Sequence, residues 1–156
     1  MITSSPAVAG GLVFVGSDDG TLYALDATTG SEQWQFPGIR PAASVALVDG
    51  VVFAGSQDGF LYALDAATGA ERWSAALGDS ASRSPTVADD IAYVGSADGV
   101  LHAIDAATGA ERWIVAIEGG GVLATPAIAD GTLFQSTFDG DATALYALDA
   151  ATGAEQ

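Results

Sequence analysis

"ALDAATGAERW", residues 63–73, decides how this chain is read. It returns as "AIDAATGAERW" at 103–113 and, varied, as "ALDATTGSEQW" at 24–34. A last copy, "ALDAATGAEQ" at 147–156, stops one residue before the tryptophan. Self-similarity at a fixed period marks a repeat architecture, in which one supersecondary unit buries its apolar faces only by stacking on the next. Outward from the string, four units align: "PAVAGGLVFVGSDDGTLYALDATTGSEQW" from Pro6, "VALVDGVVFAGSQDGFLYALDAATGAERW" from Val45, "PTVADDIAYVGSADGVLHAIDAATGAERW" from Pro85, and "PAIADGTLFQSTFDGDATALYALDAATGAEQ" from Pro126. The chain is one segment, residues 1–156, divided into repeats at about 1–40, 41–80, 81–122 and an incomplete 123–156.

Each unit reads as four short strands. A small-residue "PAVA" type strand precedes a Gly or Asp turn. An "LVFVGS" type strand follows, apolar on both faces as a strand packed between two sheets must be. An Asp-Gly turn comes next, where Gly20, Gly59 and Gly99 supply the positive φ of a tight hairpin. The "TLYALD" type strand runs into "ATTG" or "AATG", where the Asp carboxylate bonds backbone amides and Gly closes the turn. The fourth strand carries the tryptophan. No segment holds a 3.6-residue apolar period. The chain is therefore all-β, and a period near 40 with four antiparallel strands per unit predicts β-propeller blades, the last lacking its outermost strand.

Kelch repeats would be longer, and the Gly-His and Trp-Asp pairs of tryptophan–aspartate repeats are absent. The recurring set is Ala24, Asp26, Gly30, Trp34; Ala63, Asp65, Gly69, Trp73; Ala103, Asp105, Gly109, Trp113; and Ala147, Asp149, Gly153. This set resembles the tryptophan-docking motif of the pyrroloquinoline-quinone-type (quinoprotein-like) β-propeller repeat family, to which the non-catalytic outer-membrane assembly lipoprotein propellers are similar. The resemblance implies that each indole stacks between the Ala of its own motif and the Gly peptide of an adjacent one. Truncating such a tryptophan costs on the order of 3–5 kcal/mol.

Four arginines, no lysine and 20 acidic residues give a net charge of −16. That balance excludes binding to a nucleic-acid backbone, which needs a basic surface. It also disfavours anionic membranes. Two readings of the acidity stand together: halophilic adaptation, with carboxylates hydrating the surface at high salt, and the repeat's own use of Asp in its turn columns. The second leaves the absence of lysine unexplained. No stretch reads as a membrane span or a signal peptide. Location is therefore open, and only the family resemblance suggests an extracytoplasmic one.

Catalytic candidates are few. The enzymes of the family hold the quinone over Ca²⁺ with Asp, Glu and Asn ligands, often beside a vicinal disulfide. This chain has no cysteine and no asparagine, so no cofactor is expected. His102 aligns with Tyr23, Tyr62 and Tyr146 and reads as a strand side chain in an amphipathic column. No serine stands in a nucleophile elbow. "STFDGDATALY" (136–146) breaks the repeat; counted from Ser96 and Ser136, it carries four extra residues, read as a hairpin insertion. Asp139 and Asp141 flank Gly140 there without the ligand spacing of a Ca²⁺ loop. Arg83, aligned with Ser4, Ala43 and Ala124, is a weak candidate for a small anionic ligand should its strand line the axial channel, with a surface salt bridge as the alternative. "EGGGV" (118–122) reads as an interblade loop.

The expected function is a non-catalytic binding or assembly scaffold. The alternative is a fragment of a quinoprotein dehydrogenase whose catalytic residues lie in other blades. Four units either close on themselves or form an open arc, and the ending leaves a third strand as an open edge. The expected partners are a second four-blade chain, completing an eight-bladed ring, or the remaining blades of a longer parent.

Overall fold

The computed structural model describes all residues except 1, 3, 41–42, 82, 118–121, 123 and 139–142. The described residues form fifteen strands in four antiparallel sheets. The first blade comprises β1 (Ala7–Ala9), β2 (Leu12–Ser17), β3 (Thr21–Asp26) and β4 (Glu32–Pro37). The second comprises β5 (Ala46–Val48), β6 (Val51–Gly55), β7 (Phe60–Asp65) and β8 (Glu71–Ala76). The third comprises β9 (Thr86–Ala88), β10 (Ile91–Gly95), β11 (Val100–Asp105) and β12 (Glu111–Ala116). The fourth has three strands, β13 (Ala127–Ala129), β14 (Thr132–Phe138) and β15 (Thr143–Asp149). Within each blade the strands pair in chain order. The short first strands of neighbouring blades touch, β1 with β5 and β5 with β9, which puts them on the inner side of the arc.

Turn chemistry explains the repetition. Two-residue turns join the first and second strands at Gly10–Gly11, Asp49–Gly50, Asp89–Asp90 and Asp130–Gly131, and all eight residues have positive φ. That is the geometry whose twist suits an antiparallel hairpin. Between the third and fourth strands, Ala24 pairs with Trp34, Ala63 with Trp73 and Ala103 with Trp113, each beside a bulge at the same step. The fourth blade begins the same way: Glu155 bridges Leu148, and the Gln156 amide donates to the Ala147 carbonyl at 2.9 Å.

The hairpin of the fourth blade corrects one sequence expectation. Register makes Ser136, which pairs with Leu145, the equivalent of Gly95, which pairs with Leu101. Thr137, not Ser136, therefore stands where Ser96 does, and the insertion is three residues rather than four. The pairs Phe138–Thr143 and Thr137–Ala144 extend the ladder toward it. Asp139, Gly140 and Asp141 lie outside the described residues.

Core residues fall into three clusters, one per seam. Phe14, Leu22, Ala24 and Trp34 of the first blade pack on Val52, Ala54 and Leu64 of the second. Phe53, Leu61 and Ala63 pack on Ala92, Val94 and Ile104 of the third. Tyr93, Leu101 and Ala103 pack on Leu133 and Leu148 of the fourth. This explains the strands that are apolar on both faces: in β6, Phe53 faces the blade that follows, while Val52 and Ala54 face the blade before. Among the described residues no cluster joins the fourth blade to the first.

Candidate functional site

The repeated string builds one device at each seam. The Asp26 carboxylate accepts the Thr28 and Thr29 amides at 3.0 and 2.7 Å and the Thr29 hydroxyl at 2.9 Å. Asp65, Asp105 and Asp149 hold the corresponding turns. The turn presents two features to the preceding blade: a bare glycine and a carbonyl. Trp34 donates its indole N–H to the Ala66 carbonyl at 3.0 Å, Trp73 to Ala106 at 3.1 Å and Trp113 to Ala150 at 3.1 Å. A Cβ added to Gly69 would stand 2.7 Å from the Trp34 ring; at Gly109 and Gly153 the distance to Trp73 and Trp113 would be 2.8 Å. Each indole thus reaches forward to the next blade's turn, while its own Ala lies beside it across the ladder.

Two turns carry an added clamp. Arg72 meets Asp65 and Arg112 meets Asp105, each at 2.7 Å. The arginine and the Thr68 or Thr108 donors hold both carboxyls down at about 2. Asp26 and Asp149, opposite Gln33 and Gln156, are lowered mainly by the donors of Thr29 and Thr152. The pairs were missed in the sequence, although an Arg seven residues after the Asp in two of four copies was the available signal.

Seam three adds a bond of its own. Tyr93, where the other blades have Phe14, Phe53 and Phe134, donates to the Ala150 carbonyl at 2.9 Å. That one oxygen therefore receives both Tyr93 and Trp113.

The arc leaves two flanks without a neighbouring blade. On the fourth blade, Leu145 is 71% exposed and Phe134 37%, while their counterparts Leu22, Leu61, Leu101 and Phe14, Phe53, Tyr93 are fully buried. On the first blade, Val13 and Leu25 are half-buried, where Val52, Ala92, Leu133 and Leu64, Ile104, Leu148 are covered. Ile2 bridges Ser17 as Ala81 bridges Ser96; Ala81 is buried, but Ile2 is 62% exposed. A Cβ on Gly30 would meet nothing within 4 Å. The trailing flank of blade four and the leading flank of blade one are the two halves of a seam made three times elsewhere in the molecule.

The other sequence candidates do not converge. Arg83 lies exposed in the loop before β9, its carbonyl close behind Gly55. His102 is more deeply placed than an amphipathic strand position implies. It is 5% exposed and lies opposite Val94 and Ile114, with neither ring nitrogen hydrogen-bonded. Its Nδ1 stands 3.5 Å from a Glu111 carboxylate oxygen, outside hydrogen-bond geometry. Gln135, in a column of Val and Ala, is buried and donates to the Ala124 and Ser136 carbonyls. Among the described residues, no three His, Cys, Asp or Glu side chains gather as a metal would require. The Asp carboxylates of the repeated motif are occupied with their own turns. The donor set thus does not fit a Ca²⁺-held quinone.

The seams repeat through the whole chain, and so does the match to known sequences. The family described as outer membrane protein assembly factor BamB matches in three overlapping registers, over residues 1–85, 38–115 and 57–156. The chain belongs to that family. A search of the curated proteins found no match. BamB from Moraxella catarrhalis is 28% identical with a TM-score of 0.84, over 99% of this chain and 48% of that one. The chain thus spans about half the length of that BamB. The quinohemoprotein alcohol dehydrogenase from Comamonas testosteroni gives a TM-score of 0.84 at 20% identity, over 100% of this chain and 34% of that one. The computationally designed Ika8 protein gives 0.80 at 22%, over 96% and 46%. The last two likenesses show the fold alone.

Proposed function

We propose that this BamB-family chain is a non-catalytic binding or assembly scaffold, half of an eight-bladed ring completed by a second copy. The carrying observation is the pair of open flanks. Leu145 and Phe134 on one, and Val13 and Leu25 on the other, occupy columns that are sealed in every internal seam, and Ile2 stands where Ala81 and Val122 are buried. Apolar columns of this kind favour burial against a partner. Joining the trailing flank of each chain to the leading flank of the other is a head-to-tail contact that closes after two copies. The 48% share of the Moraxella BamB supports the doubling; it equally supports a longer parent whose other blades occupy both flanks.

The uniform turns favour scaffolding over catalysis, because a reaction centre needs chemically distinct groups converging on one place. The dehydrogenase likeness keeps a fragment of a quinoprotein as the second reading. Titration with pyrroloquinoline quinone and Ca²⁺ separates the two, since a scaffold leaves the quinone spectrum unchanged. The charge of −16 supports a salt requirement for bringing two such chains together. Family membership favours an extracytoplasmic location.

Sedimentation mass tests the ring. The reading expects a particle of about 31 kDa, twice the 15.5 kDa chain, favoured at high salt and reduced to one chain by Leu145→Asp. A strictly single-chain particle at every concentration and salt overturns it.

A further inference from the structure

We propose that the rim of the first seam, at Phe36, Phe60 and Tyr62, binds an arginine side chain from a basic segment of another protein. The three rings form one cluster. Phe36 of β4 meets Tyr62 of β7 across the seam with ring centroids 5.7 Å apart, and Phe60 stands 6.0 Å from Tyr62 on the same face of β7. Phe60 is 37% exposed, and Phe36 and Tyr62 are half-buried, so the cluster opens to solvent. The other seams do not repeat it. Register places Ala75, Val100 and His102 at the second seam and Val115, Ala144 and Tyr146 at the third. Folding accounts for a device that recurs at every seam; it does not account for three aromatic rings gathered at one rim and left half-open.

The charge around the rings defines the occupant. Asp58 accepts the Phe60 amide at 3.2 Å and the Tyr62 hydroxyl at 2.8 Å. Glu71 accepts the Ser74 hydroxyl at 2.9 Å, and Ser74 lies opposite Tyr62 in the ladder. These donors are neutral, so both carboxylates keep their charge beside the rings, whereas Asp65 and Asp105 have arginine partners. Burial, together with Asp58 and Glu71, pushes the Tyr62 hydroxyl up to about 12, so the ring stays neutral. An aromatic face attracts a cation through its quadrupole, and a nearby carboxylate adds to that attraction. Arginine suits the rim better than lysine. Its planar guanidinium stacks on a ring while further donors reach a carboxylate, and it sheds water more readily than an ammonium. The net charge of −16 steers a basic segment toward the chain. The site gives the scaffold reading a partner chemistry and rests on that reading for its purpose, but it needs no ring, because blades one and two form it within one chain.

The test uses the 156-residue chain carrying 4-fluorophenylalanine, followed by ¹⁹F resonance in about 150 mM NaCl, where general attraction is screened. The probe is the capped peptide Gly-Ser-Arg-Ser-Gly, and Phe36→Leu and Phe60→Leu assign the two resonances. A saturable shift of both, with Kd on the order of 10 mM or tighter, is expected for one exposed anchor. The same peptide with glutamine for arginine leaves both in place. Phe60→Leu, read at Phe36, weakens binding about fivefold. Asp58→Asn keeps an acceptor for Tyr62 but removes the charge, and weakens binding by a similar factor. Asp130→Asn makes the same charge change in an exposed turn of the fourth blade and leaves binding unchanged. No shift at either ring overturns the proposal, as does an equal shift with the glutamine peptide. Equal weakening by Asp58→Asn and Asp130→Asn, the mark of general attraction to an acidic chain, overturns it too, and so does undiminished binding by folded Phe60→Leu. Urea titration checks the folding of each variant, and the peptide pair tests the site even where a variant does not fold. Sedimentation and the quinone titration of the unlabelled chain test the ring and the scaffold reading separately, so the failures are distinguishable.

Discussion

Trp34 and Gly69 are in contact across the first seam so closely that no side chain fits between them. A Cβ on Gly69 would stand 2.7 Å from the Cδ2 and Cε3 atoms of the indole, whose N–H is held by the neighbouring Ala66 carbonyl. The glycine is needed twice, for a φ of +73° and for the room.

Those two needs separate experimentally. Gly30→Ala has the same backbone demand, φ +72°, and open space, so it loses only the left-handed term, about 1 kcal/mol. Gly69→Ala adds overpacking against Trp34 and is expected to cost about 2–4 kcal/mol in all. Urea unfolding of both variants measures the difference, and equal losses would contradict the seam geometry.

Tyr93→Phe removes the hydroxyl that meets the Ala150 carbonyl. That oxygen keeps the Trp113 N–H, so nothing buried is orphaned and the loss is about 1 kcal/mol. The other blades place phenylalanine here, so the fold persists. Thermal unfolding checks the loss.

Asp90 sits at φ 61° in a turn position where the other blades have Gly11, Gly50 and Gly131. Asp90→Gly relieves the left-handed strain and is expected to stabilise by about 0.5–1 kcal/mol. For a chain of this size that raises Tm by roughly 1–4 °C.

Acid should loosen the seam turns in a defined window. The Asp65 and Asp105 carboxyls lie at about 2 in the fold, against about 3.9 unfolded. A depressed carboxyl contributes stability that is complete above the unfolded value and is lost as pH falls through the folded one. The Arg72→Gln/Arg112→Gln variant should therefore lose less stability than the parent between about pH 4 and pH 2. Urea midpoints across that range read it, and parallel curves would show that the clamps are inert.

Most of the fold was legible because its periodicity is written in side chains that act locally. The Asp of "ALDAATG" bonds the next amides, the glycine closes the turn, and the alternation of Phe53 with Val52 and Ala54 assigns faces to two neighbours. What stayed hidden depended on register or on distance. Aligning Ser136 with Ser96 placed the fourth hairpin one residue out, because a serine there replaces the Gly95 column rather than continuing the Ser96 column. The Asp65–Arg72 clamp spans a turn whose shape decides whether the two groups meet. His102 shares its column with tyrosines whose hydroxyls reach out to Asp19 and Asp58; the shorter imidazole does not, so its burial follows from ring length rather than from pattern.

Disulfide trapping tests the central claim, that the two open flanks meet between chains. In the internal seams, Ala81 Cβ stands 2.8 Å from where a Gly55 Cβ would be, and Val122 presses on Gly95 in the same way. Ile2 and Ser136 occupy the equivalent positions on the two free flanks. The chain has no native cysteine, so Ile2→Cys/Ser136→Cys provides one designed pair within reach of a disulfide. Mild oxidation is expected to give a covalent dimer of about 31 kDa, twice the 15.5 kDa chain, with no longer polymers. A cross-link within a single chain, a ladder of open polymers, or no cross-link at all would contradict the account.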